Sequence, residues 1–210
     1  MKQLFTILFL VLACSVNAQK DPAAQAVLDR FSEAALSAPS VRMKFDLRVH
    51  DKVEDTRNES EGSVVIKNNM YRLDLPENII WYDGSAIWTL APEVKEVTVT
   101  LPDPDDDTFF SSPSSLFDMY KEGFKYSLLR EVPGGSVIDL YPDDPSDTDF
   151  SLIRLVIDGQ DRLVSAEYRR KDGIDIYIDV KEYNLRQSFP DKYFSFDNTE
   201  FPGVDIIDMR

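Results

Sequence analysis

The stretch from Glu61 to Leu101 constrains the fold most, because it consists of short apolar runs separated by turns. Asp83-Gly84 stands between two of these runs, and Asp-Gly is a strong hairpin signal because glycine adopts positive φ without steric cost. Apolar and polar residues alternate on both sides, as they do from Val97 to Leu101. This period of two predicts a four-strand antiparallel meander with one face buried and the other in water.

The same signals continue along the chain. Asp158-Gly159 and Asp172-Gly173 mark two further turns, each between alternating runs, and the tail is predicted to end in one short strand. Asp51 to Ser60 is charged and is predicted to be a loop. The count is about ten strands, which is too many for a flat sheet, so the sheet is expected to twist and curl.

Two segments have helical patterns. Ala23 to Ala38 carries an apolar stripe, with Asp21 as a cap, Pro22 in the first turn and Pro39 at the end. Ser114 to Tyr120 is shorter and too apolar for a free surface helix, so it must cover something apolar. The predicted fold class is mainly β with a helical lid (α+β): a large curled antiparallel sheet that forms an unclosed β-barrel covered by short α-helices.

The N-terminus has the features of an export signal. Met1-Lys2-Gln3 is a basic start, Leu4 to Ala13 is apolar apart from Thr6, and Val16-Asn17-Ala18 has small-residue spacing suited to cleavage. We interpret residues 1–18 as a signal peptide for the periplasm and residues 19–210 as a single domain. Val11 to Cys14 loosely matches a lipoprotein box, so a lipid anchor at Cys14 stays open as an alternative.

Composition excludes several function classes. The chain has 38 Asp+Glu against 23 Lys+Arg, which argues against a nucleic-acid partner. It has one histidine, His50, and one cysteine, Cys14, which removes histidine triads, thiol nucleophiles and the common zinc sites. The acidic run at Asp105-Asp106-Asp107 fits no EF-hand and is interpreted as a solvated loop. We therefore expect no enzyme, no metal and no cofactor, and we expect a monomer.

A sheet of this size can enclose more space than its own side chains fill, and small barrels often hold one apolar ligand. Candidate lipid-binding residues come from one face of the alternating strands and the inner side of the covers. They are Phe45, Leu47, Val64, Ile66, Leu73, Trp81, Trp88, Val97, Val99, Leu116, Phe117 and Ile176. A slip of one residue in register would exchange the chosen face. The alternative is a structural domain with a filled core.

Several motifs recur in the order found in a known family. They are G-x-V-x-I-K at Gly62–Lys67, Tyr71-Arg72, P-x-x-I-I-x-Y-D-G-x-x-I-W at Pro76–Trp88, P-E-V-K-E-V-T at Pro92–Thr98, F-S-F at Phe194–Phe196 and the segment Pro202–Asp208. In this order and spacing the chain resembles the periplasmic outer-membrane lipoprotein carriers, the LolA family. The resemblance runs over nearly the whole of residues 19–210.

The resemblance implies an unclosed barrel with a helical lid over an apolar cavity. Family members accept an acylated lipoprotein cargo from an inner-membrane ABC transporter, shield its acyl chains and pass it to an outer-membrane acceptor, without nucleotide or metal. In well-studied members an arginine directly after the lysine of the second strand holds the lid closed. Asn68 stands at that position here, and Arg72 is a nearby candidate for the same role. A binding protein for another lipid or glycolipid, itself membrane-anchored, is the alternative.

Overall fold

The computed structural model describes residues 20–103, 109–146 and 148–210. The predicted signal peptide, Cys14 and the acidic run at positions 105–107 lie outside them. Helix α1 spans Pro22–Leu36, and the carboxylate of Asp21 caps it by accepting a hydrogen bond from the amide of Ala23 at 2.9 Å. The strands are β1 Val41–Asp51, β2 Thr56–Lys67, β3 Met70–Asp74, β4 Ile79–Tyr82, β5 Ile87–Ala91, β6 Glu96–Thr100, β7 Phe124–Val132, β8 Gly135–Pro142, β9 Phe150–Asp158, β10 Leu163–Arg170, β11 Ile174–Asn184 and β12 Asp205–Asp208.

The strands of the described residues form one sheet in the order β12-β6-β5-β4-β3-β2-β1-β11-β10-β9-β8-β7. Neighbours pair antiparallel except for β12, which lies parallel to β6. The two ends of the order, β12 and β7, do not pair with each other, so the sheet is unclosed. The predicted fold class is confirmed, and so is the short strand at the end of the tail.

Three local predictions are wrong. Thr56–Lys67 is one long strand, so the predicted loop shrinks to the turn after Asp51; its first half is polar because most of it stands in water on both faces. The stretch from Gly62 to Leu101 contains part or all of five strands rather than four. The predicted second α-helix is a pair of 3-10 helices, Pro113–Phe117 and Met119–Lys121, and 3-10 geometry is usual for such short pieces.

The sheet has two faces, defined here by what covers them. The inner face packs against α1 and the segment Phe109–Lys121, which together bury the main hydrophobic core. The outer face is covered on one half of the sheet by the tail from Phe194 to Val204, and on the other half it carries ion pairs between neighbouring strands. Because directly opposed residues of antiparallel strands point to the same face, the register assigns each side chain to one of the two.

Candidate functional site

Eight of the predicted lipid-binding residues lie together on the inner side of the molecule. They are buried members of the main core, contributed by four strands and by the 3-10 helix Pro113–Phe117. These eight are Phe45, Leu47, Val64, Ile66, Leu73, Leu116, Phe117 and Ile176. The register agrees with this grouping, because Val64 opposes Met43 on one side and Leu73 on the other. The candidate site is therefore the inner face of β1 to β3 and of β11, together with its cover.

The other four predicted residues lie on the outer face. Trp81 and Trp88 oppose each other, and Val99 opposes Trp88, while Arg72 opposes Trp81 on the other side. With Val97 they form a second cluster that packs against the tail. The expectation that all twelve residues share one face is wrong, because Trp81 of β4 and the apolar side chains of β5 and β6 face the tail rather than α1.

Side chains from the two covers fill the inner face. Phe31 of α1 meets Phe117 edge-on, with ring centroids 5.6 Å apart. Phe109 lies against Phe45 and Tyr168, at centroid distances of 6.2 and 6.3 Å. Sequence reasoning did not select Phe31, Phe109 or Tyr168. The apolar stripe of α1 and the alternation in β10 are the signals that identify Phe31 and Tyr168.

Helix α1 is attached to the edge strand β7 by its N-terminal residue. The amide of Asp21 donates to the carbonyl oxygen of Tyr126 at 3.1 Å, and the amide of Leu128 donates to Asp21 Oδ2 at 3.0 Å. The amides of Leu128 and Ala23 hold the pKa of the Asp21 carboxyl below its usual range. Further along, Arg30 forms a partly exposed ion pair with Asp161 at 3.0 Å.

The cover segment Phe109–Lys121 is connected to its surroundings mainly by side chains. The hydroxyl of Tyr71 on the inner face donates to the carbonyl oxygen of Ser111 at 2.9 Å. The hydroxyl of Tyr120 donates to Asp29 Oδ1 of α1 at 2.6 Å. Burial and the hydrogen bond to Asp29 raise the pKa of Tyr120, so it remains a donor at neutral pH. The segment is not a strand of the sheet, so it can move without breaking a ladder of backbone hydrogen bonds.

The two residues considered for holding the lid lie elsewhere. Asn68 occupies the tight turn between β2 and β3 with a φ of 54°, a backbone conformation that asparagine tolerates well. The guanidinium of Arg72 is on the outer face, 5.2 Å from the ring centroid of Trp81 and 5.1 Å from that of Tyr193. Its Nε also donates to Asp74 at 3.1 Å. Arg72 therefore fastens the tail and does not hold the inner cover.

A groove of about 310 Å³ lies at the rim of the inner face. Its lining includes Tyr82 and Ile87 of the β4–β5 hairpin and Ser112 and Ser114 of the cover segment. Tyr82 also contacts Tyr71, with ring centroids 5.7 Å apart. The groove thus lies where the cover meets the sheet, next to the tyrosine that bonds the cover.

Side chains suited to catalysis or metal binding do not cluster in the described part of the chain. It contains no group of three or more histidine, cysteine or acidic residues placed to hold a metal ion. His50 is at the far end of β1, with Nε2 3.8 Å from the exposed carboxylate of Asp55. None of the helices described is long and apolar enough to cross a membrane. The chemistry available on the inner face is burial of apolar surface with a few hydroxyls.

Comparison with solved structures identifies the fold. A conserved protein of Thermus thermophilus matches with a TM-score of 0.53 and 12% identity over 89% of this chain and 99% of that one. A LolA superfamily protein of Nitrosomonas europaea matches with a TM-score of 0.46 and 16% identity over 83% and 98% of the two chains. The lipoprotein LppX of Mycobacterium tuberculosis has a TM-score of 0.45 and 14% identity over 81% and 100%.

At these identities the likeness concerns the fold alone. No protein-family model matches the sequence, and no curated protein matches it in sequence. The architecture that the motifs predict, one unclosed sheet with α1 against its inner face, is confirmed by the structure.

Proposed function

We propose that this protein binds the acyl chains of lipoproteins on the inner face of its sheet, beneath the cover segment Phe109–Lys121. One observation carries the proposal: a wide apolar sheet face is covered by a segment that packs apolar side chains against it and lies outside the ladder of paired strands. An acyl chain that replaces Phe109 or Phe117 on this face exchanges one apolar contact for another. The apolar area kept from water then changes little, so the exchange costs little.

The proposed cargo cycle follows from the resemblance to the lipoprotein carriers. An inner-membrane ABC transporter delivers an acylated lipoprotein in the periplasm, the protein carries it as a monomer, and an outer-membrane acceptor receives it. No reaction, nucleotide, metal or cofactor is required of the carrier, because successive apolar sites of rising affinity drive transfer. The grooved rim at Tyr82 and Ile87 is the natural entrance, since the cover meets the sheet there.

A second candidate is a binding protein for another lipid or glycolipid, anchored through Cys14. One observation favours it. Asn68 stands at the position of the closing arginine of the lipoprotein carriers and is part of a two-residue turn. Its side chain has no positive charge with which to hold a lid. Here the cover is held by the neutral hydroxyls of Tyr71 and Tyr120 instead, which suits a different opening mechanism.

The test uses energised inner-membrane vesicles that carry a labelled lipoprotein. The protein is added, and the label released into the soluble fraction is measured as a stoichiometric complex. Stoichiometric release supports the carrier. If a fluorescent acyl probe binds but no label is released, the second candidate replaces it. If neither occurs, the inner face is a filled structural core and both proposals fail.

A matched pair of variants links release to the cover. Tyr71→Phe removes the hydroxyl that bonds Ser111, whereas Tyr177→Phe removes a hydroxyl that bonds Asp175 on the outer face at 3.3 Å. Losing one hydrogen bond that holds the cover shut is expected to raise acyl-probe affinity about two- to tenfold. Tyr177→Phe is expected to leave the affinity unchanged. If both variants change the acyl-probe affinity equally, binding does not depend on opening of the cover.

A further inference from the structure

Tyr168 occupies the centre of the inner face beneath the cover. It lies on β10 between Ile153 and Ile176 of the neighbouring strands, and its side chain is 1% exposed. Its ring packs against Phe150 at a centroid distance of 5.5 Å and against Phe109 of the cover at 6.3 Å. A ligand that displaces Phe109 would therefore come to lie against Tyr168.

The hydroxyl of Tyr168 has no hydrogen-bond partner among the described residues. Two other tyrosines at this site are different, since the hydroxyls of Tyr71 and Tyr120 donate to oxygens at 2.9 and 2.6 Å. The hydroxyl of Tyr183, which is also unpartnered, belongs to a side chain that is only partly buried at the margin of the core. A buried hydroxyl without a partner lowers the stability of the folded protein, because its hydrogen bonds to water are lost and not replaced. A phenylalanine would fill nearly the same volume without that cost, so packing alone does not account for a tyrosine here.

The surroundings restrict what can pair with this hydroxyl. The buried charged side chains of the described residues, Asp139 and Asp175, both lie on the outer face, so no buried cation on the inner face is available to a phosphate or carboxylate. A charged group would pay a large desolvation cost in such a place. A neutral acceptor such as an ester or amide carbonyl does not. Burial also raises the pKa of Tyr168, so its proton is retained for donation.

We propose that the Tyr168 hydroxyl is a carbonyl-binding subsite, which donates a hydrogen bond to the ester or amide carbonyl of a bound acyl chain. The inference rests on the proposed acyl-binding function and adds to it the part of the ligand that is recognised. In the closed protein the hydroxyl has no partner within the described part of the chain, and in the complex it is paired. This pairing favours acyl esters and amides over plain hydrocarbon chains of the same length.

The experiment compares two lipids that differ in the carbonyl. Dipalmitoylglycerol has two ester carbonyls, and dihexadecylglycerol has ether links with none. Each is titrated against a fluorescent acyl probe bound to the protein or to its Tyr168→Phe variant. The wild-type protein is expected to bind the diester about three- to tenfold more tightly than the diether, as one hydrogen bond with a buried donor allows. Tyr168→Phe is expected to abolish this preference by weakening the diester alone.

The free protein supplies the control. Because Tyr168 makes no hydrogen bond in the closed state, Tyr168→Phe is expected to keep or raise the melting temperature, whereas Tyr71→Phe, which loses a bond, is expected to lower it. If the wild type binds both lipids equally, or if Tyr168→Phe weakens both equally, the carbonyl subsite is refuted while acyl binding stands. If the wild type binds neither lipid, the proposed function itself fails.

Discussion

The outer face of this single sheet is completed in two different ways. On the half formed by β3 to β6, called here the tail half, Trp81 and Trp88 are covered by Phe196, with ring centroids 5.8 Å from each. Phe201 adds a second ring, 5.6 Å from Trp81. On the half formed by β8 to β11, called here the charged half, the same face carries ion pairs and is not covered by the tail.

The ion pairs of the charged half run across neighbouring strands. Arg154 on β9 donates to both oxygens of Asp139 on β8, at 2.6 and 2.8 Å. On the other side it approaches Glu167 on β10 at 3.8 Å, and Glu167 accepts from Arg169 at 2.7 Å. The hydrogen bond to Asp139 raises the pKa of Arg154, which keeps this side chain charged.

The difference shows that the face of a sheet that carries the apolar side chains can change from one end of the strand order to the other. In the charged half most of the large apolar side chains face inward, into the core that α1 covers. In β5 and β6 the inward positions include Thr89 and Thr98, which oppose each other, and the apolar side chains face the tail. The inner apolar surface is therefore narrower than the sheet, and the proposed acyl-binding surface lies on β1 to β3 and β8 to β11, away from β5 and β6.

The largest effect is expected from removing the centre of the tail half. Trp81 is 1% exposed and contacts Phe196, Phe201 and Arg72. Trp81→Ala leaves a cavity between the tail half and the tail that the surrounding side chains cannot fill, so the free energy of unfolding is expected to fall by about 3–5 kcal/mol. Chemical denaturation monitored by circular dichroism measures it.

The control belongs to the charged half. Arg169→Ala changes an outer-face residue whose side chain is 42% exposed, and a loss of about 1 kcal/mol or less is expected. If both variants lost the same free energy of unfolding, the two halves of the outer face would contribute equally to stability, which would contradict the comparison. Acyl-probe binding by Trp81→Ala at temperatures where it is folded should remain, because Trp81 is outside the inner face; its loss would return Trp81 to the lipid-binding set.

A smaller effect is expected from the buried carboxylate of the charged half. Asp139 is 2% exposed, and Asp139→Ala leaves the guanidinium of Arg154 without its main partner. The Arg154 side chain is 24% exposed, so water relieves part of the cost, and a loss of about 1–3 kcal/mol is expected. Asp208→Ala, which breaks the exposed pair with Arg210, is the matched control and should change stability by no more than about 0.5 kcal/mol. Equal losses would contradict the role of burial.

Sequence patterns predicted the turns, the alternation and α1 because each depends on neighbours close in the chain. Gly84 and Gly173 have φ values of 94°, as turns with glycine require, and Asp21 caps α1. The first half of β2 was missed because it is polar on both faces and owes its strand to pairing with β1. The β-propensity of a short segment does not depend on which strand it pairs with, so it could not predict the pairing with β1.

The division of the candidate site had a different cause. Alternation shows that Leu73 lies on the apolar side of β3 and Trp81 on an apolar side of β4. It does not show whether these two sides belong to the same face of the sheet. The answer depends on the register between β3 and β4, in which Leu73 opposes Ile80 and Arg72 opposes Trp81. It also depends on the tail, more than a hundred residues away in sequence, which supplies a cover for the outer face.

A double-mutant cycle between Trp88 and Phe196 sharpens the description of the tail half. The two rings are stacked, with centroids 5.8 Å apart and planes at 17°. The coupling energy is expected to be about 0.5–1.5 kcal/mol beyond the lost area. A cycle between Trp88 and Phe117, which belong to the two different clusters, should give no coupling. Coupling in the second cycle would mean that the inner and outer clusters unfold as one layer.

The smallest effect is expected at the two edges of the sheet, which respond differently to acid. At the β7 edge, the Asp21 carboxylate accepts the amide of Leu128, and its pKa is lowered. The stabilisation is therefore complete above the unfolded pKa near 4 and is lost as the pH falls through the lower folded pKa. At the β12 edge the amide of Asp205 donates to the carbonyl oxygen of Lys95, which does not titrate in this range. Hydrogen exchange, corrected for intrinsic rates, is expected to show that the amide of Leu128 loses protection about threefold or more below pH 4, while the amide of Asp205 keeps its protection.

The control is Asp21→Asn, in which the pH dependence of protection at Leu128 should disappear. A parallel loss at both amides would mean that acid loosens the whole sheet, and that α1 is no more easily released than the tail.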